Sequence, residues 1–192
     1  LKRYSREAIL PPHLPKEDFE DQDLADKIGV LRAELYNPLT RTWEMMAAQK
    51  RPRLYHSTAL LLPDGRVLSM GSNPYANVIE GTVEVYSPPY LYRSDRPLIS
   101  DSPAQITYGE AFRIEVDDAN QISEVVLMRP EVLTHVTNTD QRLLGLEFER
   151  LNESRLEIRG PRDRSHMPQG YCMLFVLNND RVPSKSVFVQ VV

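Results

Sequence analysis

The amino-acid sequence predicts an all-β protein of the sandwich, barrel or propeller type, on three observations. Short apolar or alternating segments recur about every ten residues from residue 31 onward. Gly, Pro, Asn and Asp separate these segments, as expected of residues that form turns. The chain has 192 residues, of which 41% are hydrophobic, so it can build a core for one large domain or two small ones.

Composition and charge argue against several classes of protein. The formal net charge is -4, and no basic stripe is present to neutralise phosphates, so nucleic acid is not expected as a partner. No apolar run approaches the ~18 residues that a membrane span needs. Cys172 is the single cysteine, which excludes an internal disulfide and a thiolate zinc cluster. It lies in the apolar stretch GYCMLFVLN, which favours a buried, unreactive thiol over a reactive one.

Residues 1–30 differ from the rest of the chain. They are rich in proline and acidic residues and show no sustained alternation. We predict an irregular or helical acidic surface segment. The segment has no apolar stretch like that of a signal peptide, and the chain begins with leucine, so we expect it to be a piece of a longer polypeptide.

Two hairpins are predicted next. Residues 33–36 form a strand, Asn37-Pro38 turns the chain, and a second strand surrounds Trp43. Residues 54–62 then lead through the Asp-Gly turn of PDG into a second apolar run, a strong hairpin signal.

Tyr55 and His56 stand side by side at the start of that second hairpin, and neither helps it to form. They are either packing residues or functional ones. In the following stretch, GTVEVYSPPYLY, Val83 and Val85 alternate with polar neighbours as in a further strand.

The C-terminal half predicts an immunoglobulin-like sandwich. Residues 93–103 resemble a linker with three turn signals. Six or seven short strands then follow within about ninety residues, in AFRIEVDD, ISEVVLMRP, RLLGLEFERL, RLEIRGP, GYCMLFVLNN and PSKSVFVQVV. Residues 130–142 fit no strand, and His135 lies near the middle of this polar loop. Long loops on rigid sandwiches often carry function.

The order of several motifs resembles one known family. AELYNPLTRTWE, with Tyr36 and Trp43, followed by RLYHSTALLLPDGRVLSMG, with Gly71, is similar to the junction of two kelch blades. Together with VEVYSPPYLY, THVTNTDQR and GYCMLFVLNNDRVPSKSVFVQV, these motifs resemble the C-terminal part of galactose oxidase and glyoxal oxidase, the copper-radical oxidases. The resemblance covers residues 31–192.

The resemblance implies a fold and a copper site. Residues 31–95 would be the last blades of a kelch β-propeller, and residues 96–192 an immunoglobulin-like domain. Tyr55 would be the axial ligand of one copper ion and the general base, and His56 and His135 its equatorial ligands. Imidazole and oxygen donors suit Cu(II). The fourth protein ligand of the family, a radical tyrosine cross-linked to a cysteine, is expected upstream of this chain.

The implied activity belongs to the intact parent protein. It would oxidise a primary alcohol, sugar or aldehyde with O2 and release H2O2, and it would be secreted. The present chain alone is expected to be inactive, because it lacks the radical pair and the rest of the propeller, its expected partner.

The sequence leaves alternative interpretations open. His56 in the pattern R-x-x-H could serve packing. Asn138, Asp140 and Arg142 are expected to brace the loop around His135. The chain could instead be a non-catalytic kelch and immunoglobulin-like module that binds carbohydrate or protein through exposed aromatic residues such as Tyr90 and Tyr92. It could also be a purely structural domain of a kelch protein that has lost its catalytic machinery.

Overall fold

The structure, a computed structural model, describes residues 29–72, 79–135 and 137–192. The described residues are almost entirely β-strand and loop, and their helical segments are the short 3-10 turns Pro89–Tyr92 and Ala119–Gln121. This confirms the all-β prediction. The acidic segment predicted for residues 1–30 lies outside the described residues, apart from residues 29 and 30. No helix in the described part of the chain is long and apolar enough to cross a membrane.

The chain divides into two compact units. The first takes in the described residues up to Leu60, together with those of Leu68–Tyr86 and Leu133–Thr137. The second takes in Leu61–Val67, Ser87–Val132 and Asn138–Val192.

The first predicted hairpin lies within the first unit. Strands β1 (Arg32–Asn37) and β2 (Thr42–Ala48) are antiparallel, with Tyr36 opposite Trp43. The rings of this pair lie 4.8 Å apart between centroids, a contact typical of cross-strand aromatic neighbours. The predicted first hairpin is therefore confirmed.

The second hairpin belongs to a three-stranded sheet in the order β3-β4-β5, formed by Thr58–Leu61, Val67–Met70 and Val83–Tyr86. Its turn is closed by the N–H of Gly65, which donates to the carbonyl of Leu62 at 2.9 Å. Gly65 has a φ of 82°, a conformation that glycine adopts without a steric penalty. The hairpin is confirmed, but β3 begins at Thr58, so Tyr55 and His56 precede the strand instead of starting it.

Strand β5 presents the opposite face from the one its pattern predicts. Val83 and Val85 are exposed, whereas Glu84 is half-buried. The reason is pairing with a segment distant in the sequence: the carboxylate of Glu84 accepts the N–H groups of Lys50 and Arg51 and pairs with the guanidinium of Arg53 at 3.0 Å.

The second unit is a two-layer β-sandwich. The larger sheet has the order β12-β9-β15-β16-β7, and the smaller has the order β13-β14-β8-β6. The strands of the larger sheet, in that order, are Leu143–Leu146, Ile122–Met128, Gly170–Asn178, Val187–Val191 and Gln105–Ile106. Those of the smaller sheet are Phe148–Arg150, Arg155–Arg159, Ala111–Val116 and Ile99–Asp101. All the pairings are antiparallel except β16 with β7.

One apolar core joins the two sheets. The smaller sheet contributes Ile114, Leu156 and Ile158, and the larger sheet contributes residues such as Leu127 and Leu174, all at most 1% exposed. Two antiparallel layers over one core form the immunoglobulin-like sandwich predicted for this half.

Three features of this half differ from the prediction. The predicted linker 93–103 contains β6, because Ile99 is buried and pairs with Val116. The stretch RLLGLEFERL is two strands in different sheets, with the chain crossing at Glu147. The loop 130–142 contains a small hairpin, β10 (Leu133–Thr134) with β11 (Thr137–Asn138).

Candidate metal centre

Tyr55 and His56 occupy the middle of a tight turn. The N–H of Ser57 donates to the carbonyl of Leu54 at 3.2 Å, which closes a four-residue turn around the pair. His56 has a φ of 60°, and a positive φ at the third position is the signature of a type II turn, where glycine is usual. Histidine enters this left-handed region more readily than most residues. The turn brings both rings to the start of β3.

His135 lies at the tip of the β10–β11 hairpin. His135 directly follows β10 and has a φ of 55°. A positive φ is common in the tight turns of β-hairpins. The hydroxyl of Thr134 and Nδ1 of His135 are hydrogen-bonded at 2.9 Å. When Nδ1–H donates to this hydroxyl, Nε2 carries the lone pair that a metal ion requires.

The structure brings the three predicted site residues together within the first unit. The ring centroids of Tyr55 and His56 are 4.0 Å apart and nearly stacked. Those of His56 and His135 are 4.7 Å apart with their planes at 83°, and those of Tyr55 and His135 are 5.6 Å apart. All three side chains are exposed, Tyr55 to 43%, so a small molecule can reach them.

The donor set fits a copper ion. Two imidazoles and a phenol offer nitrogen and oxygen donors of the kind that Cu(II) accepts. Rings this close can direct their heteroatoms at one ion, since metal–nitrogen bonds are about 2 Å long. Across the part of the chain that the structure describes, no group of three or more His, Cys, Asp and Glu side chains could hold a metal ion. The candidate metal centre is therefore the mixed set of Tyr55, His56 and His135.

The segments on either side of His135 are held by polar side chains, as expected for a braced loop. Asn138 Oδ1 accepts the N–H groups of Val132 and Asp140, each at 3.2 Å. The carboxylate of Asp140 pairs with the guanidinium of Arg129 at 2.7 Å. Arg142 donates to the carbonyl of His166 at 3.1 Å.

A further hydrogen bond joins the segment that carries Tyr55 and His56 to the one that carries His135. The N–H of Leu61, the last residue of β3, donates to the carboxylate of Glu131 at 2.7 Å. Glu131 precedes the β10–β11 hairpin, so this bond joins the strand that follows Tyr55 and His56 to the start of the loop that carries His135.

Arg53 is a residue of this region whose role the sequence did not reveal. Arg53 is 8% exposed and pairs with Glu84. Burial by itself raises the pKa of Glu84, but the N–H donors of Lys50 and Arg51 and the Arg53 guanidinium together hold it below its ordinary value. The available signal was the R-x-x-H spacing, which could have pointed to Arg53 as a partner of the turn.

The remaining candidates lie elsewhere. Cys172 is fully buried in the second unit, and burial raises the pKa of its thiol, as expected for an unreactive cysteine. Tyr90 donates its hydroxyl to the carbonyl of Gly65 at 2.6 Å. Tyr92 is 74% exposed. Of the two aromatic residues proposed for a binding module, Tyr92 thus has the more accessible ring.

Comparisons with known proteins agree with the motifs. A family model described as "Galactose oxidase-like, Early set domain" matches residues 96–191. Galactose oxidase of Gibberella zeae is 32% identical over 173 residues, which cover 86% of this chain and 25% of that protein. The aldehyde oxidase GLOX of Vitis pseudoreticulata is 36% identical over 159 residues, which cover 73% of this chain and 30% of that protein. The chain thus spans about a quarter to a third of the length of these relatives.

A solved structure shows the same similarity in three dimensions. A fungal alcohol oxidase of the AA5 family, in complex with copper, superposes with a TM-score of 0.79 at 30% sequence identity. The match covers 86% of this chain and 37% of that one.

Proposed function

Because the chain belongs to the galactose oxidase and glyoxal oxidase family, we propose that it supplies three protein ligands to a copper ion in an alcohol or aldehyde oxidase. Tyr55, His56 and His135 are those ligands. One observation carries the proposal: two segments far apart in the sequence bring two imidazoles and a phenol within 5.6 Å of one another between ring centroids. Packing alone does not explain three exposed polar rings that converge in this way.

The proposed overall reaction is the oxidation of a primary alcohol to an aldehyde, or of a hydrated aldehyde to an acid, with O2 as the acceptor. Two electrons and two protons leave the substrate, and O2 takes them up as H2O2. A copper ion bound here would accept one of these electrons. As a metal ligand Tyr55 would be a phenolate, and its oxygen would take the substrate hydroxyl proton as general base. His56 and His135 would hold the metal through neutral ring nitrogens, and the hydrogen bond between Thr134 and Nδ1 of His135 leaves Nε2 for the metal when Nδ1–H is the donor.

The second electron requires a radical partner, which we place in the parent protein outside this chain. Cys172 is buried in the second unit, so it does not suit a role as the cross-linked cysteine. We further propose that residues 31–95 are the last blades of a kelch propeller, that residues 96–192 are its immunoglobulin-like companion, and that the parent is secreted. Finding the parent in cells and not in the culture medium would contradict secretion.

The proposal is tested by electron paramagnetic resonance of the chain loaded with Cu(II). We expect a signal with two nitrogen ligands in the wild type and its loss in His135→Ala. His166→Ala is the matched control, because His166 pairs with Asp163 at 2.8 Å and is not one of the three converging residues. A wild-type signal that survives in His135→Ala, or no bound copper at all, would contradict the proposal for this chain and favour the non-catalytic binding module.

A further inference from the structure

We propose that Arg53 is a positioning residue of this site: its buried guanidinium fixes the turn that presents Tyr55 and His56. The inference rests on the proposed function, which gives the positions of Tyr55 and His56 their importance, but the positioning itself can be measured without copper. It is carried by the hydrogen bonds of Arg53, by the packing of Gly71 against the turn, and by the backbone conformation of His56.

The guanidinium of Arg53 joins three points of the first unit. Nη1 donates to the carbonyl of Gly71 at 2.6 Å and to that of Thr82 at 2.9 Å. Nη2 donates to the hydroxyl of Thr82 at 3.3 Å and to the carboxylate of Glu84 at 3.0 Å. The Arg53 side chain is 2% exposed. A rigid planar fork can satisfy these acceptors together, whereas the single ammonium of lysine cannot reproduce its geometry.

Gly71 transmits this restraint to the turn. A Cβ at Gly71 would lie 2.9 Å from the carbonyl oxygen of His56 and 3.4 Å from Cα of Ser57. The Gly71 backbone therefore passes directly against the turn, and its φ of 74° suits glycine. Because Arg53 holds the carbonyl of this same glycine, the Gly71 backbone cannot shift away from His56 without breaking a 2.6 Å hydrogen bond.

The turn needs such a restraint. A non-glycine residue in the left-handed region carries a steric penalty, and such conformations persist where the surrounding contacts hold them in place. The hydrogen bond from Ser57 to Leu54 at 3.2 Å closes the turn from inside. Arg53, immediately before the turn, and Gly71, packed against it, hold it from outside. The strained conformation directs the His56 ring to its place beside Tyr55 and His135.

The test replaces Arg53 by lysine, which keeps the charge and removes the fork. In copper-free protein with labelled histidine and tyrosine, we expect the nuclear Overhauser contacts between the Tyr55 and His56 rings to weaken or vanish. We expect the Kd for Cu(II) to rise about tenfold or more, as for other changes to groups that orient metal ligands. Thermal unfolding establishes that the variant is folded.

Arg150→Lys is the matched control. Arg150 also donates to two backbone carbonyls, those of Ala119 and Ile122, but lies in the second unit. It should leave both the ring contacts and the Kd unchanged. Wild-type ring contacts in a folded Arg53→Lys chain would overturn the inference, and so would an equal loss in Arg150→Lys.

A second pair of variants decides the question if Arg53→Lys does not fold. The Cβ of Gly71→Ala would press on the His56 carbonyl. Gly109 has a φ of 72°, close to that of Gly71, and a Cβ added there would meet no atom within 4 Å. We expect the Tyr55–His56 ring contacts to be lost in Gly71→Ala only. Identical behaviour of the two alanine variants would overturn the inference. If the ring contacts respond as expected but wild-type protein binds no copper, the proposed function fails and the positioning role stands.

Discussion

His56 and His135 share a backbone conformation that few non-glycine residues adopt. Their φ values are 60° and 55°, and each lies in a tight turn, one before β3 and the other between β10 and β11. A turn tip is exposed and short, so a side chain placed there can project away from the sheet. The same tip requires a residue in the left-handed backbone conformation, and histidine adopts that conformation more readily than a β-branched residue does. The conformation thus accompanies the role proposed for both residues.

At the residue scale, this conformation predicts how substitutions at position 56 affect stability. His56→Gly should unfold at or above the wild-type temperature without copper, because glycine has no Cβ penalty at positive φ. His56→Val should lose about 1–2 kcal/mol, since a branched side chain is strained there. Urea unfolding of the two variants measures the difference. Equal free energies of unfolding for glycine and valine would contradict the left-handed turn.

At the scale of elements, the sandwich depends on close approaches between strand ends and turns. Gly160 directly follows β14, and its N–H donates to the carbonyl of Glu110 at 2.9 Å. A Cβ at Gly160 would lie 2.7 Å from the Glu110 oxygen and 2.8 Å from that of Thr107. The backbone atoms of this turn cannot move aside as a flexible side chain would. The smaller sheet therefore requires glycine where it meets this turn.

A matched pair of glycine substitutions tests this requirement. Gly160→Ala should destabilise the chain by about 1–3 kcal/mol, the usual cost of forcing atoms into filled space. Gly145→Ala, in β12 with no atom within 4 Å of the added Cβ, should be neutral or slightly stabilising. The free energy of unfolding of each variant is the measurement. A neutral Gly160→Ala would show that the turn yields to the methyl group.

For the whole molecule, several carboxylates link stability to pH. The pKa values of Glu80 and Asp163 are held below their ordinary values chiefly by hydrogen bonds, from Thr82 and Ser165 respectively. For Asp64 and Glu84, burial raises the pKa, but hydrogen bonds and neighbouring arginines lower it by more, so the net pKa lies below its ordinary value. In each case the folded chain binds its proton less readily than the unfolded chain does.

The sign of the pH effect follows from this difference. Above the ordinary values, 3.8 for Asp and 4.5 for Glu, both states are ionised and the stabilisation is fully present. As the pH falls below these values, the unfolded chain takes up protons first, so the free energy of unfolding should decrease. Urea unfolding between neutral pH and about pH 3 measures the decrease, and Glu84→Gln should show a shallower one. A profile that stays flat below pH 4.5 in the wild type would contradict the pKa directions.

The sequence by itself determined the strands and tight turns, because alternation and turn-forming residues act over a few neighbouring positions. The hairpin closed at Gly65 and the main strands of the sandwich could therefore be predicted. Motif order also singled out Tyr55, His56 and His135, whose role as ligands stays a prediction.

Only the tertiary structure decided what depends on partners distant in the chain. It places β12 and β13 in different sheets, with the chain crossing at Glu147, and it turns Glu84 inward because Arg53 lies there. It also brings His135 within 4.7 Å of His56 between ring centroids. No local pattern encodes these arrangements, since each is set by a contact between segments that meet only when the chain has folded.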